Sequence, residues 1–144
     1  MPIQRWELPS GIMTLLVNGY EMAYMERGHG VPIVLIHGSV NDYRAWTSQM
    51  VPLSACYRTI AVCLRHFYPE PWNGEGDDFS VHQHLDDLAS FIKNLKAGPV
   101  HLIAHSRGGD VALILTKEHP QLVRSMVLAD PAPIDGMLPE TPQV

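Results

Sequence analysis

Apolar residues follow two different spacings along this chain, and each spacing predicts its own type of element. Short continuous apolar runs that stop at glycine, histidine or a polar residue predict buried strands, at residues 32–36, 59–64, 100–104 and 125–129. Apolar residues three and four positions apart predict helices, at residues 42–53, 81–95 and 107–119. Strands and helices therefore alternate along most of the chain.

An antiparallel hairpin is predicted ahead of this alternating region. Two half-apolar runs, at residues 15–17 and 20–25, flank Asn18 and Gly19. Asn-Gly between two such runs is a strong hairpin signal, because both turn residues need a positive φ.

Capping residues support two of the helices. Asp42 is placed to cap a helix whose inward side chains would be Ala45, Trp46, Met50 and Leu53. Ser80 and Gln83 form a capping-box pattern at the start of the next helix. Residues 98–99, Gly-Pro, predict where that second helix stops.

This order of elements predicts an α/β fold with a mainly parallel sheet and helices on both faces. Ligands bind such sheets at the carboxyl ends of the strands. Three groups are expected there, namely residues 37–39 (His-Gly-Ser), Ser106 and Asp130.

Composition narrows the class of protein. The 144 residues suit one domain, 1–144, with 46% hydrophobic and 17% charged residues. A net charge of −5 without a basic cluster argues against nucleic acid and membrane surfaces as partners. No apolar run is long enough to span a bilayer, and no leader pattern is present. Two cysteines make no disulfide framework, so a cytoplasmic location is expected.

The candidate catalytic residues lie around Ser106. The apolar strand at 100–104 leads into His105 and Ser106, and two glycines then open a helix, which predicts a tight turn with the serine at its apex. A serine needs a base for its proton and donors for the oxyanion. We expect the amide of Arg107 and an amide after the 32–36 strand, that of Ser39, to be those donors, and Gly108 to permit close packing at the turn.

These motifs resemble the α/β-hydrolase superfamily. Residues 37–39 resemble its oxyanion loop, residues 104–109 its nucleophile elbow, and residues 126–131 the strand after the elbow helix. The resemblance implies a serine, acid and histidine triad in that chain order, with Ser106 as nucleophile. Asp130 matches one of two places for the acid, and no histidine follows it. The chain thus resembles the N-terminal half to two-thirds of the fold, and the last strands, lid and last helix are expected to be missing.

Two functions follow from this resemblance, and the sequence leaves both open. One is serine-dependent, esterase-like hydrolysis of a small acyl substrate, without a cofactor, in which His37, Gly38 and His105 support the loops and another chain or segment supplies the histidine. Epoxide and halide chemistry is disfavoured, because related enzymes of those types place aspartate where Ser106 stands. The alternative is a truncated, non-catalytic hydrolase-like domain that binds a ligand or a partner, or a gene fragment, and that lacks the triad histidine. Its edge strand at 125–129 would promote self-association. The sequence is compatible both with an active enzyme and with an inactive domain.

Other polar and aromatic residues carry weaker signals. His82 and His84 lie two positions apart on a predicted helix and diverge, so no metal site is expected. Asp86, Asp87 and Lys93 are interpreted as a solvated helix face. The aromatic residues after the 59–64 strand would either line a substrate pocket or pack against one another (His66, Phe67, Tyr68 and Trp72).

Overall fold

Six strands form one mixed sheet in the computed structural model, which describes residues 8–131. The strands are β1 (Ile12–Val17), β2 (Tyr20–Arg27), β3 (Pro32–Ile36), β4 (Arg58–Val62), β5 (Val100–His105) and β6 (Val123–Ala129). The helices are α1 (Thr47–Leu53), α2 (Val81–Leu95) and α3 (Arg107–Glu118), with short 3-10 turns at Tyr43–Trp46 and Pro120–Leu122. No helix among residues 8–131 is both long and apolar enough to cross a lipid bilayer.

The spatial order of the strands is β1-β2-β4-β3-β5-β6. β1 and β2 pair antiparallel, and β2 also runs antiparallel to β4. The remaining four strands are parallel. Asn18 and Gly19 join β1 to β2 with φ angles of +45° and +79°, which confirms the predicted hairpin and its turn residues.

Helices cover both faces of the sheet, as the alternating pattern predicts. α2 and α3 pack against inward residues of the central strands, including Val34, Ile60 and Leu102. α1 and the preceding 3-10 turn pack on the other face, where Met50 and Tyr43 contact Leu35 and its neighbours. The carboxyl ends of β3, β4, β5 and β6 consequently share one edge of the molecule.

The helix caps are partly as predicted. Ser80 Oγ accepts a hydrogen bond from the amide of Gln83 at 3.0 Å and so caps α2. The Gln83 side chain does not complete the capping box, because it donates to Asp87 Oδ1 instead. Asp42 accepts from the amide of Arg44, but it caps a 3-10 turn rather than the helix itself.

The prediction that Ala45 points inward is wrong, since Ala45 is exposed. It lies in the 3-10 turn, which has three residues per turn instead of 3.6 and therefore presents different positions to the core. Met50 is fully buried, and Trp46 and Leu53 are half-buried against the same cluster.

The interpretation of Asp87 as part of a solvated face is also wrong, because this carboxylate is fully buried. Arg65 donates to both of its oxygens, through Nε at 2.8 Å and Nη2 at 2.9 Å. Asn18 and Gln83 donate to Oδ1 as well. Burial of a charge is tolerated when it is paired and fully hydrogen-bonded, and this network connects the hairpin, α2 and the segment after β4. Asp86, the next residue back, is exposed as expected.

Among the described strands, β6 lies at the edge of the sheet and pairs with β5 alone. Met126 and Leu128 turn towards the face covered by α2 and α3. Val127 lies on the other face, opposite Ile103, and is 55% exposed. Within residues 8–131, this corner of the sheet has an uncovered apolar side chain beside an unpaired strand edge.

Candidate active site

Ser106 occupies the turn between β5 and α3 and has an unusual backbone conformation. Its φ is +49° and its ψ is −118°, a region that L-residues other than glycine rarely adopt. Three backbone hydrogen bonds hold it there. Its amide donates to the Ala129 carbonyl at 3.1 Å, and its carbonyl accepts from Gly109 and Asp110. The serine is half-buried and stands where the strand turns sharply into the helix.

Gly108 allows the first turn of α3 to pack directly on the end of β3. A methyl group at this position would lie 2.5 Å from the Ile36 carbonyl oxygen and 2.6 Å from that of His37. These distances are far below van der Waals contact and involve backbone atoms, so any side chain here would displace the helix. The close approach puts the loop after β3 beside the turn that carries Ser106.

The loop after β3 contacts the serine through Gly38. A methyl group on Gly38 would lie 3.0 Å from His105 Nδ1 and 3.1 Å from Ser106 Cβ. The Gly38 amide donates to Asn41 Oδ1 at 2.8 Å, which fixes the course of the loop. Sequence reasoning missed Asn41, although a short polar side chain three residues after a strand-ending glycine is a turn signal.

Two backbone amides beside the turn remain available for a ligand. Neither the amide of Ser39 nor that of Arg107 donates to another group within residues 8–131. Ser39 follows Gly38 and is exposed, and Arg107 is the first residue of α3. The first amides of a helix have no partner within the helix. The two predicted oxyanion donors therefore lie on the two segments that meet at Ser106.

His37 joins the ends of β3 and β4. Its Nε2 accepts from the amide of Leu64 at 3.1 Å, so the proton lies on Nδ1, which donates to the Gly38 carbonyl at 2.8 Å. The ring is fully buried, and burial lowers its pKa, so it is neutral near pH 7. Both ring nitrogens are engaged in these contacts, which leaves neither for the Ser106 hydroxyl.

His84 and Arg107 form a contact that sequence reasoning missed. His84 is buried on α2, where Nε2 donates to the Arg65 carbonyl at 3.0 Å and Nδ1 accepts from Arg107 Nε at 3.3 Å. Burial lowers the pKa of His84 to about 4. Its spacing of four and seven residues from Leu88 and Phe91, both buried, places it on the apolar face of the helix, which was the available signal.

The aromatic residues after β4 stack on one another. The ring centroids of His66 and Trp72 are 4.8 Å apart, as are those of Trp72 and Phe79. Phe67 packs edge-on to His37 at 4.8 Å. Of the two interpretations left open by the sequence, mutual packing describes the contacts made by these residues. Tyr68 turns away to stack on Tyr43 and Arg44.

Polar contacts also link residues within the segment after β4. His66 Nε2 lies 2.6 Å from Asp78 Oδ1, and the His66 amide donates to Glu70 Oε2 at 3.0 Å. The hydrogen bond from His66 holds the pKa of Asp78 below its usual value, whereas burial raises the pKa of Glu70. Arg65 donates to Asp78 at 3.1 Å as well. The loop is thus tied to the same arginine that binds Asp87.

Asp130 follows β6 directly, and its carboxylate is exposed. Its φ is +50°, and its neighbour Ala129 carries the carbonyl that binds the Ser106 amide. All eight histidines of the sequence lie within residues 8–131. No hydrogen bond among the described residues joins one of them to the Ser106 hydroxyl. Within residues 8–131, the site therefore brings together Ser106, the 37–39 loop, Arg107 and the Asp130 backbone, and no histidine is hydrogen-bonded to the serine.

A metal centre finds no support in this part of the chain. Residues 8–131 contain no group of three or more histidine, cysteine, aspartate or glutamate side chains placed to hold a metal ion. His82 is exposed at the start of α2, away from the buried His84.

A family model and several known proteins match this chain. The family model described as alpha/beta hydrolase fold matches residues 31–143. The chain is 28% identical over 120 residues to the soluble epoxide hydrolase of Corynebacterium sp., covering 82% of this chain and 41% of that protein. It is 30% identical over 117 residues to the (E)-2-((N-methylformamido)methylene)succinate hydrolase of Acinetobacter baylyi, covering 78% and 42%.

Solved structures agree with the sequence matches. Epoxide hydrolase VrEH1 from Vigna radiata superposes with a TM-score of 0.77 at 27% identity, over 81% of this chain and 37% of that one. An AqdC variant described as cleaving the ring of the Pseudomonas quinolone signal superposes with a TM-score of 0.74 at 30% identity, over 83% and 45%. The chain thus spans about two fifths of the length of these relatives.

Proposed function

Because this chain belongs to the alpha/beta hydrolase fold family, we propose that it carries the nucleophile and oxyanion-binding part of a serine hydrolase that acts on acyl substrates. The observation that carries the proposal is the meeting of Ser106 with the Gly38-Ser39 loop. The serine occupies a strained turn, and one amide on each side of it has no partner among residues 8–131. Strain at a polar residue in a sharp turn is typical of functional sites.

The proposed reaction begins with attack of Ser106 Oγ on the acyl carbonyl carbon, while its proton passes to a base. The carbonyl oxygen becomes an oxyanion that accepts hydrogen bonds from the amides of Ser39 and Arg107. Collapse of this intermediate expels the alcohol or amine, which takes up the proton, and leaves an ester on Ser106. Water then attacks that ester and releases the acid.

The base in this proposal is a histidine outside this sequence, on another segment or a partner chain. The eight histidines described here do not hydrogen-bond the serine, and His37 and His84 use both ring nitrogens elsewhere. Asp130 is the proposed acid that would orient such a histidine, because it lies next to the strand residue bound to the Ser106 amide.

Acyl chemistry is preferred over epoxide opening for a chemical reason, although some relatives are named epoxide hydrolases. A carboxylate nucleophile that opens an epoxide forms an ester, which water can cleave at the carbonyl. A serine that opened an epoxide would form an ether, which offers water no carbonyl carbon and would stop turnover. With serine at position 106, an acyl substrate gives an intermediate that hydrolysis can release, and an epoxide does not.

The test is labelling of the full chain with a fluorophosphonate, read by intact mass and peptide mapping. We expect one adduct, on the peptide containing Ser106, with a rate that rises when imidazole is added as an external base. Ser106→Ala should abolish both the adduct and the imidazole effect. Equal labelling of the parent and Ser106→Ala would rule out Ser106 as a nucleophile.

Ser125→Ala is the matched control for this experiment. Ser125 is hydrogen-bonded to His101 at 2.7 Å and is exposed on β6, so it is the serine that already has a histidine partner. We expect Ser125→Ala to label like the parent. Loss of the adduct in this variant would move the reactive serine away from the turn.

A second candidate function is a non-catalytic role through association of two copies at the β6 edge. The observation that favours it is the exposed Val127 on β6, whose outer edge has no partner strand in the described part of the chain. Exposed apolar edge strands promote pairing with another chain. The two candidates separate by experiment, because this one predicts association whether or not Ser106 can be labelled.

A further inference from the structure

Arg107 carries a guanidinium that has no carboxylate partner among residues 8–131. The arginines that form salt bridges there are Arg44, Arg58 and Arg65, each with an aspartate or glutamate within 4 Å. Arg107 is half-buried, and burial lowers its pKa. A partly desolvated cation without a counterion is destabilising, so an anion bound at this position would be favourable.

Two contacts fix the direction of the guanidinium. Nε donates to His84 Nδ1 at 3.3 Å, and Cζ lies 4.7 Å from the centre of the Phe79 ring. The His84 acceptor persists near pH 7, because Nε2 holds the ring proton for the Arg65 carbonyl. The two terminal nitrogens of Arg107 donate to no group in the described part of the chain. The guanidinium is therefore held in place through Nε and its flat face, and neither contact uses the two terminal nitrogens.

Asp110 is the nearest acidic side chain on the same helix and does not fill this role. It lies one turn after Arg107 and forms no salt bridge with it. Its Oδ1 is buried without a hydrogen-bond partner, and burial raises its pKa. The charge of Asp110 acts on Arg107 only from a distance.

We propose that Arg107 binds a carboxylate of the substrate and makes the site selective for acyl compounds that carry one. The planar fork of arginine matches the two oxygens of a carboxylate. Arg107 follows Ser106 directly in the chain, so its side chain originates at the turn that carries the proposed nucleophile. This inference rests on the proposed function for its catalytic meaning, but the binding of the anion can be measured without turnover.

The first experiment measures binding of succinate to the full chain by calorimetry and NMR titration, at constant ionic strength. Succinamide is the neutral probe of the same shape, and inorganic phosphate tests whether any small anion suffices. We expect saturable succinate binding, none with succinamide, and weaker binding of phosphate. Arg107→Gln should weaken succinate binding about tenfold or more, as expected for charged hydrogen bonds.

Control variants separate the fork from general charge effects. Arg124→Gln removes an exposed arginine at the start of β6, whose Nε binds the Pro99 carbonyl, and should leave succinate affinity unchanged. Arg107→Lys keeps the charge without the fork and should give an intermediate affinity. Unchanged affinity in Arg107→Gln, equal loss in Arg124→Gln, or no saturable binding in the parent would each overturn the inference.

The second experiment separates this inference from the proposed function. Two phosphonate probes, one bearing a carboxylate and one the corresponding amide, compete for Ser106. The ratio of their labelling rates should fall about tenfold in Arg107→Gln and stay constant in Arg124→Gln. If succinate binds through Arg107 while neither probe labels Ser106, the proposed hydrolysis fails and the carboxylate site stands. If both probes label Ser106 at a ratio that does not depend on Arg107, the proposed hydrolysis stands and the carboxylate site fails.

Discussion

The amide of Ser106 donates to the carbonyl of Ala129 across 3.1 Å, so the turn between β5 and α3 is bonded to the last residue of the edge strand. Within residues 8–131, β6 is held to the rest of the sheet through β5 alone. The geometry at Ser106 consequently depends on the docking of β6 as well as on β5 and α3. Asp130, the next residue along, is placed beside the turn by the same hydrogen bond.

Gly108→Ala should destabilise the protein by about 3 kcal/mol, towards the upper end of overpacking costs, because the new methyl group would meet two backbone carbonyls. Urea denaturation measures the change. Gly109→Ala is the control, since a methyl group there would meet Pro131 Cβ at 3.0 Å and its Cα at 3.3 Å, longer approaches than those at Gly108, and alanine favours the helix. Equal urea midpoints for the two variants would contradict the packing described for Gly108.

Asp87→Asn should cost about 3–5 kcal/mol of folding free energy, because it leaves the Arg65 guanidinium without its buried carboxylate. Asp86→Asn, at the neighbouring exposed position, should change stability by less than about 0.5 kcal/mol. Both substitutions remove one negative charge. A difference between the two variants in thermal or urea unfolding therefore reports the burial of the carboxylate. Similar losses in both variants would show that net charge, and not the buried pair, is responsible.

Stability should fall as the pH drops from 7 to 4 through protonation of His84. The pKa of this residue is about 4 in the folded protein and 6.5 unfolded, so below pH 6.5 the unfolded chain binds more protons. The loss attributable to His84 is about 2 kcal/mol at pH 5 relative to pH 8. It is complete once the pH falls below the folded value.

His84→Gln checks this assignment, because glutamine can keep both hydrogen bonds but does not titrate. We expect a shallower fall in unfolding free energy between pH 7 and pH 5 than in the parent. His37, whose pKa is also lowered by burial, contributes to the same window in both proteins, so the difference between them isolates His84. Parallel curves would refute its role.

Val127→Lys should suppress self-association through β6, because a lysine on an edge strand opposes pairing with a second chain. Sedimentation velocity over a range of concentrations should show association in the parent and a monomer in the variant. Val51→Lys is the control, since Val51 is comparably exposed, at 61%, but lies on α1. A parent that stays monomeric at every concentration would eliminate the second candidate function.

The elements were predictable where short stretches of sequence determine them. The Asn18-Gly19 turn needs two positive φ angles, and the run before Ser106 is apolar up to the turn, so the hairpin and the sharp strand-to-helix turn follow from local chemistry. The family was likewise predictable, because its motifs lie within these local stretches and on the strands expected to carry them.

The buried polar contacts were not predictable, because their partners are distant in sequence. Asp87 is bound by Arg65, 22 residues away, and by Asn18, 69 residues away. Its exposed neighbour Asp86 has the same side chain, so composition gives no way to tell the two apart. The pairing of Arg107 with His84 has the same origin, since it forms only when α2 and α3 pack side by side.

A substitution of His37 would change both the folding of the sheet and the geometry of the site. One imidazole binds the segment after β4 through Nε2 and the loop after β3 through Nδ1. A library randomised at this position would lose folded protein before it yielded altered activity. Engineering of the loop would therefore succeed more readily at Ser39 or Val40, whose side chains face solvent.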